Sequence, residues 1–117
     1  MKQHDLEIQP LPIPSGWKVM WNHLLKTDIT SFPPDDRIWF YLTEDLVYIV
    51  PKKPRNNADN YAIDLGWYPD GNPDGQYGLV VIRNNDWNNP VESVDSRNHE
   101  EIVKKIEEFL IQYRPGK

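Results

Sequence analysis

The stretch YAIDLGWYPDGNPDGQYGLVVIR, residues 61–83, decides how the chain folds. Its two ends, Tyr61 to Trp67 and Gly78 to Arg83, are rich in β-branched and aromatic residues and predict two strands. Between them Pro69-Asp70-Gly71-Asn72-Pro73-Asp74-Gly75 is dense in residues that favour chain reversal. Strand, turn and strand make an antiparallel hairpin. Toward the N-terminus, Arg37 to Thr43 and Leu46 to Val50 predict two further strands, with Glu44-Asp45 as a tight turn between them. Toward the C-terminus, Asn84 to Pro90 is a second turn cluster, and a short strand is expected around Val91 to Val94.

The last element is a helix over 98–113. Ile102, Ile106, Phe109, Leu110 and Tyr113 fall at i, i+4, i+7, i+8 and i+11, one apolar stripe of a 3.6-residue period. Ser96 or Asn98 caps its start, and Asn98 with Glu101 has the spacing of a capping box. Glu100 and Glu101 lie at the positive end of the helix dipole, and Pro115-Gly116 ends the helix. Trp17 to Thr27 admits two readings. Trp17, Val19 and Trp21 alternate as in a strand, whereas Trp17, Met20, Trp21, Leu24 and Leu25 form a helical stripe. Five matches against three select a short helix. Pro10, Pro12 and Pro14 make residues 1–14 an extended lead-in. The expected fold is therefore α+β: a single antiparallel sheet of four to five strands in a meander, a C-terminal amphipathic helix on one face and a short N-terminal helix.

At 117 residues the chain suits one domain, residues 1–117. The apolar fraction is 38%, but five Trp, six Tyr and three Phe supply large buried areas for a compact core. The net charge of −5 argues against a nucleic-acid binder, which needs a basic footprint. The absence of Cys excludes disulfides, thiolate nucleophiles and Cys-ligated metals. No stretch has the ~18 apolar residues of a membrane span, and Met1 to Gln9 does not resemble a signal peptide. A cytoplasmic location, with no cofactor and no membrane partner, is the expectation.

Motifs of catalysis are missing. Asp70 to Gly75 matches the first six positions of a calcium loop, but the twelfth position is Val81 where a bidentate Glu is needed. It is read as a hairpin loop with no metal. His4, His23 and His99 have no ligand spacing; His99 is expected on the surface of the first helical turn and His23 as a half-buried polar residue. Carboxylate pairs such as Glu44-Asp45 are adjacent in sequence, so their side chains diverge rather than converge on a substrate.

Charge placement is more informative. Residues 56–101 hold nine acids and two bases, a balance of −7, while the rest of the chain is +2. Aromatic residues are interleaved with these acids. Carboxylates that steer and pair with Lys or Arg, beside aromatic anchors, suit the docking of a basic protein. The candidate partner-binding residues are Asp64, Asp70, Asp74 and Asp86 for charge pairing and Trp67, Tyr77 and Trp87 for anchoring.

Several segments also resemble a known group. They are Ile13-Pro14-x-Gly16-Trp17, Ile38-Trp39-Phe40 before Glu44-Asp45-Leu46, and Ile63-Asp64-x-Gly66-Trp67-Tyr68-Pro69. Asp74-Gly75-Gln76-Tyr77, Leu79-Val80-Val81-Ile82, Asp86-Trp87-x-x-Pro90 and the Glu101-Ile102-x-x-x-Ile106 helix complete the set. Over roughly residues 13–111 the chain resembles the small acidic immunity proteins of bacterial polymorphic toxin and contact-dependent growth inhibition systems. The resemblance implies a cytoplasmic antitoxin without enzymatic activity. Its partner would be the C-terminal toxin domain of a cognate effector, basic and often a nuclease, whose active site or substrate surface it blocks. Two other classes stay open: a small hydrolase using Asp64 or Glu44 with His23, and a carbohydrate-binding module stacking sugars on Trp67 and Trp87.

Overall fold

A computed structural model describes residues 7–116. Five strands, β1 (Trp17–Asn22), β2 (Val47–Pro51), β3 (Tyr61–Tyr68), β4 (Gln76–Arg83) and β5 (Glu92–Ser96), are followed by helix α1 (His99–Gln112). They form one antiparallel sheet in the order β1-β2-β3-β4-β5, a meander, as expected. His4 and the first six residues of the lead-in lie outside the described residues. From Glu7 onward the lead-in runs beside 23–26, with Ile8 bridging Leu25 and the Gln9 N–H donating to the Leu24 carbonyl at 2.7 Å.

Helix α1 covers one face of the sheet. Ile102, Ile106, Phe109 and Leu110 are buried there against Val47, Ile49, Ile63, Leu65, Leu79 and Val81. Asn98 caps the helix, its side-chain oxygen accepting from the Glu101 N–H at 3.0 Å. The Trp17 indole donates to the Leu110 carbonyl at 2.9 Å and ties β1 to the helix end.

Two elements correct the sequence reading. The first is residues 37–43, expected as a strand. Arg37–Tyr41 is a 3-10 helix, so Glu44-Asp45 is not a hairpin turn. The Asp36 side chain accepts from the Ile38 N–H at 2.9 Å and nucleates the turn. Ile38 and Trp39 are both buried while Phe40 is 79% exposed. Two adjacent residues cannot share one face of a strand, but they share one side of a helical turn.

The second correction is Trp17 to Thr27, expected as a helix. Its first half is strand β1, and Leu24 and Leu25 belong to the extended segment that follows. The register slips between Val19, which pairs with Ile49, and Trp21, which pairs with Tyr48. Met20 is the extra residue of this bulge. A bulge re-aims the side chains beyond it. Without it Trp21 would share the face of Trp17 and Val19. With it Trp21 turns to the opposite face of the sheet, beside Tyr48.

Candidate functional site

Among the described residues no helix covers the second face of the sheet. Strand alternation places Tyr48, Asp64 and Val80 there, because their neighbours Ile49, Ile63 and Val81 point into the helix-side core. Register then lines up Trp21, Tyr48, Asp64, Val80 and Ser93 in one row across all five strands. The Trp21 and Tyr48 rings are 5.1 Å apart.

Trp87 joins the row from outside the sheet. Asn84 and Asn85 both have left-handed backbones, φ 51° and 61°, a conformation that Asn tolerates better than most residues. They turn the chain, and Asn84 is held by hydrogen bonds to the Asn60 N–H and to Asp59. The Trp87 ring then sits 6.1 Å from Tyr48. Trp87 follows β4 and Tyr48 lies on β2, so the ring reaches across β3. Ala62 and Ile82 on this side are buried, yet stand apart from the helix-side core cluster.

Tyr68 closes the other side. Gly66 and Gly78 are register partners, and Cβ atoms built on them would fall 2.8 and 3.0 Å from Tyr68 ring atoms. The ring therefore lies flat on a pair of glycines, with 42% of the residue still exposed.

Asp64 stands between the tyrosines. Burial first, and the Asp45 carboxylate second, push its pKa up to about 6. The Tyr48 and Tyr68 phenols are raised too, by burial and then by the charge of Asp64. Among the described residues no hydrogen bond or ion pair satisfies the Asp64 carboxylate. Trp21 is also incomplete. The indoles of Trp17, Trp39 and Trp67 donate to the carbonyls of Leu110, Pro33 and Asn72. The Trp21 N–H is buried with no acceptor among the described residues. Each such group costs stability of roughly 1–3 kcal/mol. Both lie on the same open row.

The structure divides the residues that sequence grouped together. Asp64 and Trp87 are on the open face. Trp67 and Tyr77 are not available as anchors, being 0% and 1% exposed on the helix side. They pack edge-to-face at 4.9 Å, and Trp67 also packs against Trp39 at 5.7 Å. The sugar-stacking pair loses Trp67 for the same reason.

Asp70 and Asp74 are exposed in the loop at one end of the β3–β4 hairpin. Asp86 is exposed at the other, roughly 23 Å away at 3.3 Å per residue. Asp70 accepts from the Glu44 N–H at 3.2 Å, and Arg97 donates to the carbonyls of Pro73 and Gly75. The 69–75 segment is thus pinned as a hairpin loop. No group of three or more His, Asp or Glu among the described residues is placed to hold a metal.

His23 is exposed rather than half-buried, and no hydrogen bond or ion pair among the described residues joins it to Asp64 or Glu44. His99 is half-buried rather than on the surface. Burial lowers its pKa, and its Nε2 has no partner among the described residues. The acidic segment is also less coherent than its sequence suggests. Glu92 lies on the helix side, where it accepts from the Tyr113 hydroxyl.

Sequence reasoning missed Trp21 and Tyr48. Tyr48 was legible, since Val47-Tyr48-Ile49 places a tyrosine opposite two core residues. Trp21 was not, because the bulge reverses its side. Among the described residues no helix is long and apolar enough to cross a membrane. Compared with protein families, curated proteins and solved structures, the chain matches none.

Proposed function

We propose that the chain is an immunity protein whose helix-free sheet face docks a basic protein, the toxin domain of a cognate effector. The observation that supports this reading most is Asp64: a half-buried carboxylate with no partner among the described residues, register partner of Tyr48, whose ring packs against Trp21 and Trp87. Exposed aromatics give a partner buried area, and carboxylates give it a charge to meet. Asp45 acts on Asp64, Asp95 lies beside Gly78, and Asp86 adjoins Trp87 in sequence, adding further negative charge. The Asp95 position follows from its pairing with Gly78 on this face. Inhibition follows from occupancy alone, with no chemistry on this chain, in the cytoplasm of the protected cell.

The test is co-expression with the C-terminal domain of the protein encoded immediately upstream. The expected result is growth rescue and a 1:1 complex. Trp87→Ala and Asp64→Arg chains, folded by circular dichroism, should lose the rescue. No complex, or full rescue by both variants, would overturn the proposal.

A further inference from the structure

Asp64 narrows the kind of contact that the partner makes. Three features converge on it. Its carboxylate is half-buried with no ion-pair partner among the described residues, and the charge that acts on it, Asp45, is of the same sign. A second carboxylate, Glu44, acts with it on the Tyr68 ring. Aromatic rings share its face: Tyr48 is its register partner, Tyr68 lies on the next glycine, and Trp87 packs 6.1 Å from Tyr48. Like charges crowded in a partly dry site call for a cation. Aromatic faces select which one, since cations bind within about 6 Å of a ring centroid.

We propose that Asp64, with the faces of Tyr48, Tyr68 and Trp87, receives one arginine side chain from the partner. A guanidinium forks onto a carboxylate with two hydrogen bonds, stacks on flat rings and is weakly hydrated. An ammonium is a compact, strongly hydrated point charge that gains less from the rings. The rest of the molecule supports the assignment. Among the described residues the core holds no buried polar or charged residue, and its three buried indoles all have acceptors. The unpaired carboxylate and the orphaned Trp21 N–H lie on this one row, while the other buried atom without a partner among the described residues, His99 Nε2, lies at the start of α1. Groups left unsatisfied in a native fold mark places kept for something other than stability.

This inference rests on the docking-face reading but has its own test. The probes are three capped hexapeptides, identical except for one central Arg, Lys or citrulline, titrated into the isotope-labelled full chain. Citrulline keeps the shape of Arg and removes its charge. The expected result is movement of the Trp21 and Trp87 indole signals and of the Asp64 amide with the Arg peptide. The Lys peptide should bind several-fold more weakly, and the citrulline peptide should give no shift. Asp64→Asn, which keeps the side chain's size but removes its charge and one of its two acceptor oxygens, should abolish the Arg response. No response to Arg, an equal response to Lys, or a response to citrulline would overturn the assignment. Failure here is distinguishable from failure of the docking face. An Asp64→Asn chain that rescues as well as the original, beside a Trp87→Ala chain that does not, removes the arginine and leaves the face.

Discussion

Two residues of the open face make quantitative predictions. Asp64 has a pKa of about 6 in the folded chain, against 3.8 for a free side chain. The folded state therefore holds the proton more tightly than the unfolded state. The stabilisation from the neutral acid is fully present below the unfolded value and is lost as pH rises through about 6. Two units set a ceiling of about 3 kcal/mol, but this side chain still reaches water, so the difference is on the order of 1 kcal/mol. Asp64→Asn should thus be more stable than the original chain at pH 7, with the gap closing toward pH 4. Urea midpoints at both pH values check this, and a constant gap would contradict it.

Gly66 supplies the second prediction. A Cβ there would lie 2.4 Å from the Glu44 carbonyl oxygen, whereas at Gly78 the nearest atom belongs to the Tyr68 ring, at 3.0 Å. A backbone carbonyl yields less readily than an exposed ring. Gly66→Ala should cost roughly 1–3 kcal/mol and Gly78→Ala distinctly less, read as melting temperatures.

At the scale of elements, the residue pattern separates support from surface. Phe109 of α1 is 4% exposed, and Phe109→Ala should cost roughly 3–5 kcal/mol. Phe40 lies in an equally apolar run, yet its 3-10 turn points it outward. Phe40→Ala should change stability by no more than ~0.5 kcal/mol. Denaturation of the two variants side by side is the check. The same contrast explains what was legible in the sequence. Helix α1 was readable from its single 3.6-residue period and the β3–β4 hairpin from β-branched and aromatic runs about a dense turn cluster, and both matched the fold. The Ile38-Trp39-Phe40-Tyr41 run has neither period, and its conformation is set by the Asp36 cap. Trp17-Val19-Trp21 has the strand period, but the bulge at Met20 breaks its meaning. The candidate site was half legible for the same reason. Asp64 and Trp87 stood out by charge and turn chemistry. Trp67 and Tyr77 carry the same residue types but point the other way, which only strand register decides.

For the whole molecule, the account gives the two faces of the sheet different tasks. The helix side, with Trp17, Trp39 and Trp67 all hydrogen-bonded, holds the fold together. The open side, with Trp21, Tyr48, Asp64, Tyr68 and Trp87, is the face proposed to meet the partner. Carboxylates at its rim should act by steering. Asp86→Ala should slow association with the upstream-encoded domain at low salt and have little effect at 1 M, where the Debye length is about 3 Å. Stopped-flow mixing at the two salt concentrations reads this directly. A central aromatic should act differently, holding the complex once formed. The most direct test of the two-faced account is therefore the affinity of that domain for Trp87→Ala and Phe40→Ala chains, by calorimetry. Both residues are exposed aromatics, at 49% and 79%, but Trp87 packs on Tyr48 of the open face, whereas Phe40 belongs to the 3-10 turn whose Trp39 packs on Trp67 of the helix side. Trp87→Ala should lose at least about 30-fold in affinity, equivalent to about 2 kcal/mol, and Phe40→Ala should show no change. Undiminished binding by Trp87→Ala, with binding lost in Phe40→Ala, would contradict it and move the partner to another surface.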